Sequence, residues 1–279
     1  MHREKFIERL LFVLALSAIG SLALITIFIF LEGFPLIVST GLKNFILSSH
    51  WAPTKGHFGI LAMIISSVLV TLGAMVIGVP LGLSCAIVLA EFSPKSLKMV
   101  LKPTLELLAG IPSVVYGFLG VVWLVPLIRN YLGGPGLSLL AAAIILGIMI
   151  LPTIISISID ALSAVPDLYR DGSLALGATR WQTVSRVVLP AASSGIITAI
   201  ILGMGRAIGE TMAVIMVAGN ALKIPTSILD PVRTLTSNIA LELGYAAGRH
   251  REALFATGIV LFIIIMILNL SATLITRRR

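Results

Sequence analysis

Arg206 and Glu210 are the two formally charged side chains between Val187 and Leu222, and the rest of that stretch is apolar enough to cross a bilayer. An arginine at mid-membrane depth costs about 2.5–3.5 kcal/mol on insertion scales, so its presence needs a compensating interaction or a function. On a helix, this spacing sets the guanidinium and the carboxylate one turn apart, where an ion pair can form. Two chemistries fit. In one, the pair locks helix packing: Gly203, Ala207 and Ala213 or Val214 share its side, and Gly205 with Gly209 would let a second helix come close. In the other, Arg206 faces a water-filled path and binds a passing oxyanion through paired, charge-assisted hydrogen bonds. Glu210 would then neutralise Arg206 when the path is empty, or accept a hydrogen bond from a protonated anion. Glu106, near one end of another apolar run, reads as an interfacial side chain.

The elements that must position this pair are helices. The chain has 279 residues, 58% hydrophobic and 11% charged, with a mean hydropathy of +1.09. That balance predicts an all-α, polytopic membrane protein. No alternating pattern suggests a membrane β-barrel. The net charge of +8 comes from basic residues scattered at the ends of apolar runs, which suits topogenic signals and lipid headgroups rather than nucleic acid. Cys85 is the single cysteine, the four histidines are dispersed, and no metal-ligand spacing occurs. No phosphate-binding loop of the Walker type is present, so this chain cannot bind ATP in the P-loop manner.

Six spans are expected, at roughly 10–32, 59–90, 103–128, 137–163, 191–219 and 252–275. The first is too long for the apolar core of a signal peptide and lacks a small-x-small cleavage site, so it is expected to be retained. The second is longer than one straight span needs, and Pro80 predicts a kink, a tilt or an extension past the membrane. Segments 1–9, 91–102, 164–190 and 276–279 hold three basic residues each. That bias predicts both termini in the cytoplasm.

Residues 166–190 read as two short amphipathic helices between apolar ones. Asp167 is placed to cap the first, Leu168, Leu174 and Ala175 form its apolar face, and Gly177 permits a sharp exit. Trp181, Val184 and Val188 carry the second helix to Leu189-Pro190. Such a segment either lies on the membrane surface or docks a soluble partner.

The segment resembles the cytoplasmic EAA loop of type I ABC importer permeases. Asp171-Gly172-Ser173, Gly177, Val187 and Leu189-Pro190 fall at that loop's spacing, with Asp in place of Glu and Gly-Ser in place of Ala-Ala. Residues 105–118 and 205–214 resemble the phosphate ABC transporter permease of the PstC type, and Met212-Ala213 with Gly219-Asn220 favour it over the sister PstA type. The resemblance covers about residues 58–275 and implies a type I importer permease (MetI-like) fold. It places an N-terminal helix and extracytoplasmic segment in residues 1–57, the permease domain in 58–275 and a basic tail in 276–279.

In function, the resemblance implies half of a pathway for inorganic phosphate across the inner membrane, with no covalent chemistry in this chain. The implied partners are a PstA-type permease, two ATP-binding subunits that hold ATP and Mg, and an extracytoplasmic phosphate-binding protein. Coupling would run through residues 167–182, with Asp171, Gly172, Ser173, Gly177, Arg180 and Trp181 seated on the ATPase, and Arg206 and Glu210 would line the path. A PstA-type or other oxyanion permease of the same machinery, a secondary transporter or channel, and a nontransporting signalling subunit are the alternatives.

Overall fold

The protein is described by a computed structural model of residues 2–277. Helix α1 (His2–Thr40) is followed by the short α2 (Leu42–Leu47) and a small antiparallel hairpin, β1 (Trp51–Ala52) and β2 (His57–Phe58). Next come α3 (Leu61–Phe92), α4 (Lys95–Ala109), α5 (Ser113–Leu132) and α6 (Leu139–Ser163). The insert forms α7 (Asp167–Ala175) and α8 (Arg180–Ala191). The chain ends with α9 (Ser193–Ile208), α10 (Met212–Val217), α11 (Leu235–Glu242) and α12 (Arg249–Arg277).

Helix α6 is the axis of the fold. It packs against α3, α9, α4 and α10, which is why it is apolar on nearly every side rather than along one stripe. Ala141, Leu146, Met149, Ile150 and Ile154 are all buried on it. Its start is fixed by Ser138, whose hydroxyl accepts from the Ala141 N–H at 3.2 Å. Helix α1 does the opposite. Leu11, Phe12, Leu24 and Leu31 are exposed, as lipid-facing side chains would be. It is tied down near its far end, where Phe28 meets Phe255 of α12 edge-on at 5.5 Å.

The ends of α3 define the two ends of the molecule. It has 32 residues, so it extends about 48 Å, past the roughly 30 Å of a hydrocarbon core. At its start lie the hairpin, the end of α1 and the start of α12: Arg249 donates to Ser39 at 3.1 Å. At its finish lies the insert. The other ends of α1 and α12 therefore point away from the hairpin, toward the insert side.

Among the described residues, five helices are long and apolar enough to span a bilayer, or six if α8 and α9 are taken together as one bent span. Two expected spans are corrected. The third does not begin at residue 103: α4 is a separate amphipathic helix, and the spanning helix starts at Ser113. The fifth is not continuous from Pro190, because α8 and α9 meet at an angle of 71° and the helix stops again at Ile208. Of the basic tail, Arg278 and Arg279 lie outside the described residues.

Helices α5 and α10 touch through Gly117 and Gly120. A Cβ on Gly120 would stand 2.7 Å from Val217 Cγ1 and 3.0 Å from Ile145 Cγ1. Gly120→Leu is expected to destabilise the fold by about 1–3 kcal/mol, while Gly20→Leu, whose added Cβ meets nothing within 4 Å, should be neutral. Thermal unfolding in detergent measures both; equal midpoints would show that this contact is not tight.

Candidate functional site

Two helices are interrupted, and the interruptions face each other. Helix α4 stops at Ala109 and α5 starts at Ser113, across Gly110-Ile111-Pro112. Pro112 has no N–H and disfavours helical geometry in the residue before it, so the break is local chemistry. Helix α9 stops at Ile208 and α10 starts at Met212, across Gly209-Glu210-Thr211. Past these breaks α5 and α10 run side by side in the same direction, with Gly117 against Ala213 and Gly120 against Val217. Their first turns therefore lie at one level.

Arg206 and Glu210 sit at this level, but they do not pair. The expectation of an ion pair on one continuous helix is corrected: the helix ends between them. Arg206 Nη2 instead donates to the Ala109 carbonyl at 3.1 Å, an acceptor left over at the C-terminus of α4. Glu210 Oε1 accepts from the Ala213 N–H at 3.1 Å, a donor left over at the N-terminus of α10. Each charge thus serves a helix end. Both side chains are half-buried. Among the described residues, the other N–H donors of Arg206 have no protein partner. A Cβ on Gly205 would meet open space, and one on Gly209 would meet its own helix, so that glycine pair does not seat another helix. Gly203 and Ala207 are buried, as expected; Gly203 lies against Ile154. Glu106 is exposed on α4.

The break is also held from the hairpin side. Thr236 on α11 donates its hydroxyl to the Glu210 carbonyl at 2.9 Å. The far end of α11 carries Glu242, which is buried. It accepts from Trp51 Nε1 at 2.9 Å and Arg233 Nη1 at 2.7 Å, and its other contact is His250 Nε2 at 2.8 Å. The loop before α11 is anchored by Asp230. Its carboxyl is held down at about 2 by the Thr226 N–H and hydroxyl, then the Ser227 N–H, with Lys223 adding to the effect.

At the opposite end, the insert folds as two helices with Gly177 in the left-handed region at φ 83° between them. Thr179 and Gln182 form a reciprocal cap on α8. Asp167 does not cap α7; Pro166 holds that position, and Asp167 accepts from Arg170 at 3.3 Å instead. Leu168, Leu174, Leu176 and Trp181 are exposed. The apolar residues of α7, with Leu176 and Trp181, are thus presented outward, while Val184 and Val188 of α8 are buried against the body of the protein. Asp171, Gly172 and Arg180 are exposed beside it, while Ser173 is half-buried and its hydroxyl meets that of Thr183 at 3.0 Å.

What ties the insert to the membrane helices is Arg170, which the sequence reading did not single out. Its guanidinium reaches Glu91 at the end of α3 through two bonds, 3.1 and 2.7 Å, and also donates to the carbonyls of Val165 and Leu162. The bond to Glu91 raises the pKa of Arg170 above its ordinary value against the opposing effect of burial. Thr236 and Glu242 were missed as well. The one available signal was Glu91, an acid closing a long apolar run. Among the described residues no group of histidine, cysteine and acidic side chains could hold a metal ion.

Membrane helices with facing breaks and an outward-presented insert at one end define a membrane-embedded transport subunit. The chain belongs to the family described as "binding-protein-dependent transport system inner membrane component", whose model matches residues 78–279. It is 43% identical over 272 residues to a probable ABC transporter permease, YqgH, of Bacillus subtilis, covering 95% of this chain and 88% of the relative. It is 34% identical to the phosphate transport system permease PstC of Haemophilus influenzae, covering 84% and 81%, and 38% identical to that of Mesorhizobium japonicum, covering 79% and 74%. In fold it matches a chain of the MetNI methionine ABC transporter, with TM-score 0.64 and 20% identity over 82% of this chain and 99% of that one. A chain of a bacterial alginate ABC importer matches with TM-score 0.61 and 17% identity over 96% of both. The type I importer permease fold expected from the sequence is borne out.

Arg170→Ala strands the Glu91 carboxylate at a site where its side chain is 8% exposed. Breaking a buried pair from one side costs about 3–5 kcal/mol, so the unfolding midpoint in detergent should fall clearly. Replacing both partners, as Glu91→Leu with Arg170→Met, should cost less. A double variant worse than the single would show that the pair itself contributes most.

Proposed function

We propose that this chain is one of two permease subunits of an ATP-driven importer of inorganic phosphate. Arg206 is the observation that carries the reading. A half-buried guanidinium stands where two broken helices meet, with most of its donors unspent. Such a group suits a tetrahedral oxyanion, which takes paired hydrogen bonds from its planar fork. The phosphate permeases among the relatives support that choice of anion. Glu210 keeps the local charge near neutral, so that the anion is held briefly and released. It also offers an acceptor to a protonated phosphate.

Phosphate import needs a driving force. A divalent anion entering against about 150 mV, negative inside, faces roughly 7 kcal/mol before any concentration gradient. We assign that work to two ATP-binding subunits, which carry ATP and Mg and seat on α7 and α8. The exposed Leu168, Leu174, Leu176 and Trp181 offer the apolar contact, with Asp171 and Arg180 beside them. Both termini and the insert then lie in the cytoplasm. The hairpin end faces an extracytoplasmic phosphate-binding protein, and a PstA-type permease completes the pathway.

Arg206→Gln and Glu210→Gln test the pathway in the reconstituted complex. Each should lower ATP-dependent phosphate uptake at least about tenfold, as expected when a hydrogen bond to a charged group is lost. Normal uptake by both variants in assembled complexes would overturn the reading.

Gly172 tests the docking. A Cβ there meets nothing within 4 Å in this chain, and its backbone is helical. Gly172→Leu should therefore leave the unfolding midpoint unchanged or slightly raised, since glycine is a poor helix residue by about 1 kcal/mol. Uptake should nonetheless be lost if the ATPase approaches there. Full uptake with the leucine in place would remove Gly172 from the contact.

A further inference from the structure

The carbonyl of Glu210 belongs to neither helix. Among the described residues no backbone N–H reaches it: Ile215 N bonds Thr211 O, and Glu210 N is itself spent on Ala207 O at 3.3 Å. A carbonyl that neither helix takes up, at a break inside a membrane-spanning protein, needs a partner. That partner is Thr236, 8% exposed, from a segment distant in sequence. With the Glu210 side chain fixed on Ala213 N, the residue is pinned at two points, one from each side.

Thr236 is itself firmly placed. Its helix, α11, is capped by Thr234, which accepts from Ser237 N at 3.2 Å. The Leu235 N–H donates to Ser67 Oγ on α3 at 2.9 Å. The hydroxyls of Thr234 and Thr236 lie 3.0 Å apart. About 9 Å further along the same helix, Glu242 is gripped by Trp51 of the hairpin, Arg233 and His250. Helix α11 thus spans from the hairpin end to the helix break as a strut with both ends bonded.

We infer that Thr236 is a positioning residue for Glu210: its hydroxyl holds the Gly209–Thr211 break in the geometry that aims the Glu210 carboxylate at the level of Arg206. This rests on the proposed role of Glu210 in the anion path. A threonine hydroxyl does this work through one donor, so an isosteric valine removes the bond without changing the packing volume. Serine keeps the donor.

The test is phosphate uptake in reconstituted, ATP-energised complexes carrying Thr236→Val, Thr236→Ser, Glu210→Gln, and Thr236→Val with Glu210→Gln. The expected result is a maximal rate about tenfold lower for the valine variant, an unchanged half-saturating phosphate concentration, and near-normal rates for serine. In the Glu210→Gln background, Thr236→Val should add almost nothing, because both changes act through one carboxylate. Normal uptake by Thr236→Val alongside impaired Glu210→Gln would overturn the inference and leave the pathway reading standing. Fully additive losses, or equal losses for valine and serine, would also overturn it, assigning Thr236 to packing alone. Normal uptake by Glu210→Gln would overturn this inference by itself, while the pathway reading falls only if Arg206→Gln also transports normally.

Discussion

A helix that stops inside a membrane leaves carbonyls at one end and N–H groups at the other, and each needs a partner in the protein or in a water-filled cavity. The whole arrangement around residues 109–113 and 208–212 answers that constraint. Arg206 reaches the carbonyl end of α4, Glu210 reaches the N–H end of α10, and Thr236 reaches the carbonyl between α9 and α10. These contacts make the breaks tolerable. They also explain why two charges persist in an apolar stretch without being bonded to each other. The helix-locking reading survives only in altered form: Arg206 does tie one segment to another, but through a backbone carbonyl rather than through Glu210.

The packing beneath the breaks is what gives them fixed positions. Gly117 and Gly120 let α5 and α10 approach until backbone meets side chain, and α6 fills the space behind with Ile145 and its neighbours. Because both half-helices are seated on the same central helix, their starts stay level. The site is thus a product of close helix contact, and its polar groups are supplied by helix ends as much as by side chains.

Movement between the insert and the site cannot travel along one straight rod. Helices α8 and α9 meet at 71°, and α9 ends before Glu210. The rigid connections run elsewhere. Arg170 fastens the insert to the end of α3 through Glu91, and α3 lies along both α6 and α9. A rotation of the insert would therefore be felt first by α3 and its packing. On the other side of the break, α11 links the site to the hairpin end. The charged level is suspended between these two attachments.

Much of this was legible in the chain itself. Apolar runs of bilayer length and their basic flanks determined a helical membrane protein. Gly177 and the Thr179–Gln182 spacing determined the two-helix insert, because turn and cap geometry are local. Pro112 marked one break for the same reason. The second break could not be read: Gly209-Glu210-Thr211 contains no proline, and its four-residue charge spacing is what an unbroken helix would use. Only tertiary structure decided that Arg206 and Glu210 part company, because their partners, Ala109 and Ala213, are chosen by how separate helices pack. The same holds for Arg170 with Glu91 and for Thr236 with Glu210. These pairs are 79 and 26 residues apart, and hydrogen bonds across such separations exist only once the helices between them have been packed.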